Sequence, residues 1–221
     1  MKYLVLIIIG VTLFSCKCED GICDGFTESL MTYAPYPAST NKVVFENDSN
    51  QTLEFNFNST DKTYEKVQKS HRNEVGGCSY YDCDNKYYGI WFITPDTSRT
   101  NYDTSGTIIY HIKNNLSFNI VDKIYEYEGD RADATLSIFD AKIEYQVYPN
   151  VKYNPEDTLL TTFTAGSTTY NNVLVHHIDT QTVYRGRYII KPFVQRVYYN
   201  HELGLIAFYD IVTSSIFYRK P

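Results

Sequence analysis

Leu53, Phe55 and Phe57 alternate with Glu54, Asn56 and Asn58, and this period of two restricts the fold more than any other feature of the chain. It gives an extended segment one apolar face and one wet face. Ile143, Tyr145 and Val147 repeat the rhythm. Beyond residue 15 no segment carries apolar residues at the three-and-four spacing of a helix. The 22 Tyr and 12 Phe against a single Trp point the same way, because a ring with a polar tip suits a half-buried pleated surface.

Strands read at Lys42 to Glu46 and Thr52 to Asn58, around Asn47-Asp48-Ser49-Asn50, residues that form turns by bonding their own backbone. Asp61 to Val75 fits a strand extension or a short helix equally. Tyr87 to Ile93 reads as a buried strand. Thr107 to Ile112 and Leu116 to Val121 flank Asn114-Asn115 as a hairpin, and Ala134 to Phe139 and Lys142 to Tyr148 flank Asp140-Ala141 as another. Strands at Leu160 to Thr164, Val173 to Ile178, Arg187 to Ile190, Phe193 to Tyr199, Leu205 to Tyr209 and Ile216 to Arg219 follow, with turns at Ala165-Gly166-Ser167 and at Asn200 to Gly204. The expectation is an all-β antiparallel meander of roughly ten to fourteen strands, with few helices, that hides its edges as an open or closed barrel or a two-layer sandwich.

The first residues have a different character. Lys2 precedes the apolar run Leu4-Val5-Leu6-Ile7-Ile8-Ile9, the layout of a secretory signal. The run is too short for a permanent span, which needs about 20 apolar residues. Leu13-Phe14-Ser15-Cys16 resembles a lipobox, with Phe14 bulkier than the motif usually carries. The resemblance implies cleavage before Cys16 and attachment of lipid, including palmitate-type acyl chains, to its sulfur. Lys17-Cys18-Glu19-Asp20 is similar to the acidic tether of surface lipoproteins in the Bacteroidetes. Residues 1–15 are then a signal peptide, 16–41 a tether closed by Tyr33-Ala34-Pro35-Tyr36-Pro37, and 42–221 one β domain. The protein is expected to be lipid-anchored at the outer membrane, with the cell surface and the periplasmic face both open.

With Cys16 lipidated, Cys18, Cys23, Cys78 and Cys83 remain. An even number in an exported chain reads first as disulfides, ahead of free thiols or zinc, whose usual C-x2-C knuckles are missing. Both local pairs have the spacing C-x4-C, so Cys18 with Cys23 and Cys78 with Cys83 is the simplest scheme, and a crossed scheme stays open. The net charge of −6, more negative once Lys2 is removed, argues against nucleic acid as a partner.

No nucleophile elbow, phosphate-binding glycine loop or H-E-x-x-H occurs, so no catalytic residue, cofactor or metal ligand is assigned. His176 and His177 would point to opposite faces of a strand. Acid pairs such as Glu126 with Glu128 occur in any acidic protein. Tyr80, Tyr81, Tyr87, Tyr88 and Trp91 form the densest aromatic stretch and are a candidate binding surface, although alternate rings of a strand can equally fill a core.

Tyr170-Asn171-Asn172-Val173, followed by Val197-Tyr198-Tyr199-Asn200-His201-Glu202-Leu203-Gly204-Leu205-Ile206-Ala207-Phe208, resembles the C-terminal pattern of uncharacterised Bacteroidetes lipoproteins of the Flavobacteria type. The family brings no activity with it. Asp157-Thr158-Leu159 resembles the O-glycosylation triplet of exported proteins from the same group. The reading is therefore a non-catalytic binding or structural module of the cell envelope, held to the membrane by its N-terminal lipid and meeting a glycan, a lipid or an envelope protein. The alternatives are a surface carbohydrate hydrolase and a barrel resembling a lipid or lipoprotein carrier.

Overall fold

The computed structural model describes residues 28–37, 39–73, 76–95, 101–103, 109–110, 115–125, 129–139, 141–179, 183–185, 188–190 and 193–220. At 28, 61–73, 76–85, 101–103, 109–110, 115, 117, 121–125, 129–130, 183–185 and 188–190 only the backbone is described. The expected signal and the lipobox-like residues with Cys16, and also Cys18, Cys23, Glu126 and Glu128, lie outside the described residues.

Among the described residues a short 3-10 helix, Glu28–Tyr33, precedes fifteen strands. These are β1 (Lys42–Glu46), β2 (Thr52–Asn73), β3 (Gly76–Ile93), β4 (Asn101–Asp103), β5 (Ile109–Tyr110), β6 (Asn115–Tyr125), β7 (Gly129–Ile138), β8 (Ala141–Tyr148), β9 (Thr158–Ala165), β10 (Thr168–His177), β11 (Val183–Arg185), β12 (Tyr188–Ile190), β13 (Val194–Asn200), β14 (Gly204–Asp210) and β15 (Ser215–Arg219). Eleven of them form one antiparallel sheet in the order β8-β7-β6-β3-β2-β1-β15-β14-β13-β10-β9, curled into a half-barrel. The other four pair as β11-β12-β4-β5. The chain is all-β, as its periodicity implies.

Curling follows from where the apolar faces point. Along β8 the burial alternates strictly, with Ile143, Tyr145 and Val147 inward and Lys142 and Glu144 exposed. Leu116, Phe118 and Ile120 do the same on β6, and Tyr88, Ile90 and Phe92 on β3. A flat sheet would leave these rows in water. Curled, they meet in one core where Phe208 lies 5.3 Å from Phe45, 6.0 Å from Phe139 and 5.5 Å from Phe217, ring centre to ring centre. Aromatic pairs at such spacing each add about 0.5–1.5 kcal/mol beyond the area they bury.

Asp61 to Asn73 resolves as strand, since β2 runs unbroken and pairs with β3 from Asn56↔Ile93 to Asn73↔Gly76. The hairpin expected about Asn114-Asn115 is corrected. Asn115 is already part of β6, which pairs with β3 and β7, whereas Ile109 and Tyr110 pair with β4 in the smaller sheet. The apolar row of β6 is satisfied from both sides within the large sheet, so its upstream neighbour in sequence is not its neighbour in space. The hairpin about residues 140–141 forms as β7 and β8, with Phe139 in a left-handed conformation.

Cys78 and Cys83 both lie on β3, opposite His71 and Lys66. Five residues of extended strand separate their Cα atoms by about 16 Å, beyond the roughly 7 Å limit of a disulfide. The local pairing of Cys78 with Cys83 does not fit this backbone.

Leu30 and Tyr36, in the stretch expected to be tether, are buried. The Tyr36 ring meets Phe92 edge-on at 5.5 Å, and its hydroxyl accepts a hydrogen bond of 3.1 Å from the backbone N–H of Leu205. Prolines 35 and 37 keep the segment extended enough to lie along the turn that starts β14. Gly204, at φ 71°, is what lets them approach, because a Cβ there would sit 2.8 Å from Pro35 Cγ.

Candidate functional site

The open seam of the half-barrel lies between its edge strands β8 and β9, and residues 149–157 join them, so this connection must cross the seam. It is held at both ends. Lys152 and Gln146 exchange two backbone hydrogen bonds of 2.9 Å, tying the strap to the edge of β8. Asn154 closes a turn by accepting from the backbone N–H groups of Glu156, through its side chain, and of Asp157.

Asp157 is the second fastening. Its side chain is fully buried, and each carboxylate oxygen has its own partner. His176 Nδ1 donates to Oδ1 at 2.6 Å, and the Tyr199 hydroxyl donates to Oδ2 at 2.5 Å. A buried carboxylate is tolerated only with such charge-assisted bonds. His176 and Tyr199 reach it because β10 and β13 pair antiparallel, with Leu174 opposite Tyr199. His177, next along β10, is exposed, so the two histidines do point apart.

Above this clamp the Tyr153 ring lies 5.6 Å from Tyr145, 6.0 Å from Tyr199 and 6.3 Å from His201. The hydroxyl of Tyr153 and Nδ1 of His201 are 2.6 Å apart. His201 Nε2 lies 3.8 Å from a carboxylate oxygen of Glu202, too far for a hydrogen bond. Burial raises the ionisation of Tyr36, Tyr145, Tyr153 and Tyr199 above the ordinary tyrosine value, and the hydrogen bond to the Asp157 carboxylate adds to that rise at Tyr199. These phenols stay protonated. The Tyr145 hydroxyl is buried without a hydrogen-bond partner among the described residues.

Beside Tyr153 opens a cleft of about 620 Å³. One wall is Tyr170, Asn171 and Asn172 of β10, and the opposite one is Asn200, His201, Glu202 and Leu203 of the β13–β14 turn. Asn172 has φ 53°. Across it the face-period slips, since Tyr170 and Val173, three residues apart, pack on the same outer cluster. In the turn, Asn200 Oδ1 accepts from the Leu203 backbone N–H at 2.7 Å, and Arg219 holds the Leu203 carbonyl at 2.6 Å. Leu159 and Leu203 remain 60% and 41% exposed at its rim, although both are apolar. A second cleft of about 480 Å³ on the other side of Tyr153 is polar and holds Arg131, Lys142 and Lys152.

Both stretches that carry the C-terminal resemblance, separated in sequence, thus face one cleft. That convergence was not legible before folding, and Asp157, His176, Tyr199 and Tyr153 were missed as a group. The aromatic stretch on β3 divides. Tyr88 is in the core at 1% exposure, while Tyr87 and Trp91 sit half-buried on the outer face, where Trp91 covers Gly89. The side chains of Tyr80 and Tyr81 lie outside the described residues. Among the described residues, no three His, Cys, Asp or Glu side chains converge to hold a metal ion. The chain matches no family model, no curated protein and no solved structure.

Proposed function

We propose that this chain is a lipid-anchored protein of the bacterial outer membrane, fixed through Cys16, whose β domain is a non-catalytic binding module. The observation that carries the binding reading is the cleft beside Tyr153, built jointly by Tyr170-Asn171-Asn172 and Asn200-His201-Glu202-Leu203. Two separate segments supply ring faces, amides and exposed leucines to one concavity of ligand size. The lipobox-like Leu13-Phe14-Ser15-Cys16 supports the anchoring.

Asp157 and His176 invite the hydrolase reading, because a carboxylate that orients a histidine is a familiar catalytic pairing. Both oxygens of Asp157 are committed, however, and one is held by a tyrosine of raised ionisation. That arrangement favours fastening the strap over moving protons.

The test is retention of the full chain, purified from membranes, on immobilised polysaccharide, lipid and protein fractions of the envelope. Selective retention on one fraction, lost in Tyr170→Ala and Leu203→Asp variants that keep the wild-type circular dichroism, supports the reading. Turnover of any fraction that stops in Asp157→Asn overturns it in favour of the hydrolase. Mass spectrometry of the N-terminal peptide should find diacylglycerol on Cys16, and an unmodified thiol there would remove the anchor.

A further inference from the structure

Resting on the binding reading of this cleft, we infer that its ligand is an uncharged carbohydrate rather than an acyl chain or an anionic polymer. Three amides, Asn171, Asn172 and Asn200, stand in the polar lining beside Thr169, His201 and Glu202. Asn171 and Asn172 are exposed and have no side-chain partner among the described residues, and Asn200 spends only its Oδ1 on the turn, leaving its NH2 end. An amide presents a donor and an acceptor side by side, the complement of neighbouring sugar hydroxyls, each of which also donates and accepts. A fully apolar ligand would bury these amides unpaired, which costs more than it gains.

The apolar part of the lining suits the other side of a sugar. Tyr153 and Tyr170 offer rings, and Leu159 and Leu203 offer exposed aliphatic surface to the C–H face of a pyranose. Tyrosine gives this contact area at small conformational cost.

Charge decides against anions. Among the described residues no lysine or arginine lines the cleft, Glu202 stands in its wall, and the chain carries a net charge of −6. A uronate, phosphate or fatty-acid carboxylate entering there would meet like charge without a counter-ion. The neighbouring polar cleft provides the internal contrast: Arg131 pairs there with Asp133 and Lys142 with Glu144, but Lys152 has no ion pair among the described residues and offers an anion its counter-ion.

Ligand-observed saturation-transfer NMR on the full chain tests this with short uncharged hexose and N-acetylhexosamine oligosaccharides, uronate oligosaccharides and a soluble fatty acid. An uncharged oligosaccharide should give saturable transfer that changes little with salt. Asn171→Ala and Tyr170→Ala should each weaken it by about tenfold, corresponding to 1.4 kcal/mol, whereas Lys152→Ala leaves it unchanged. Asn171→Ala guards against misfolding, because its side chain is exposed and unpartnered. Binding of the uronate or fatty acid alone, abolished by Tyr170→Ala, overturns the carbohydrate inference while the binding module stands. Transfer from no uncharged probe overturns the inference, and if it is joined by Asp157-dependent turnover the binding reading falls with it.

Discussion

Along β8 buried and solvent-facing residues alternate, whereas β14 is buried at six of its seven positions. The contrast separates the two wings of one sheet. On β7 and β8 the outer face is polar, with Arg131 paired to Asp133 and Lys142 to Glu144 along it. In the wing from β15 to β9 that face carries a second apolar cluster of Val173, Val175, Tyr198, Ile206 and Ala207, covered in part by Phe163, Tyr170 and Tyr218. A register shift between β13 and β14 makes this possible. Tyr198 pairs with Ala207 and Tyr199 with Leu205, so Ile206 is the extra residue and both it and Ala207 face outward. The candidate site lies in this second wing, where the irregularities that bury two faces also shape the turn at Asn200.

The comparison breaks most readily at β14. Phe208→Ala should cost about 3–5 kcal/mol, as the ring at the centre of the inner core is lost. Ile206→Ala, on the outer face, should still cost about 2 kcal/mol or more, since a residue 1% exposed is core whichever face it occupies. Urea midpoints at constant slope measure both. A loss below about 0.5 kcal/mol for Ile206→Ala, the range of surface substitutions, would reduce the second cluster to ornament.

Two neighbouring tyrosines sharpen the point within the site. Their rings are 5.7 Å apart, yet Tyr199 is bonded to Asp157 and the Tyr145 hydroxyl has no partner among the described residues. Tyr199→Phe should cost about 1–3 kcal/mol because it strands a buried carboxylate oxygen, whereas Tyr145→Phe should be neutral or stabilising. Equal losses from both would mean that the Asp157 clamp does not hold the strap.

The alternation was legible wherever a strand has one wet face. Leu53 and Phe55, and Ile143 to Val147, gave their inward rows directly, whereas Phe57 is 41% exposed where the pairing of β2 with β3 shifts register, and Gly204 marked its turn. What could not be read is who pairs with whom. β1 pairs with β15, as in Phe45↔Arg219, across nearly the whole chain, and a period of two contains no information about the neighbour. The site suffered from the same limit. Asp157 meets His176 and Tyr199 at separations of 19 and 42 residues, and its own surroundings suggested a glycosylation triplet instead. Thr158 and Leu159 of that triplet are exposed while the aspartate is not. The readable hint was Asn171-Asn172 and Asn200, since Asn in or beside a strand opposes strand propensity.

Alkaline pH probes the same tyrosines with a smaller effect. Unfolded tyrosines ionise near 10, and those at 36, 145, 153 and 199 hold their protons more tightly when folded. Their contribution is complete below about pH 10 and is lost as pH rises beyond it, because the unfolded chain then releases protons that the native chain retains. Urea midpoints should fall above pH 10, less steeply in Tyr145→Phe. Phenolate absorbance of the native protein should lag behind that of the denatured one, and coincident titrations would contradict the burial.

The smallest expected effect completes the contrast between wings. Glu144 on β8 pairs with Lys142, and both side chains are more than half exposed. An ion pair in water gains little, because solvent screens the charges and two mobile side chains must be ordered. Glu144→Ala should therefore change stability by no more than about 0.5 kcal/mol, and the urea midpoint should be insensitive to salt in the variant and the parent alike. A loss comparable to that of Ile206→Ala would show that the polar outer face of this wing is also structural, and the two wings would then differ in chemistry alone.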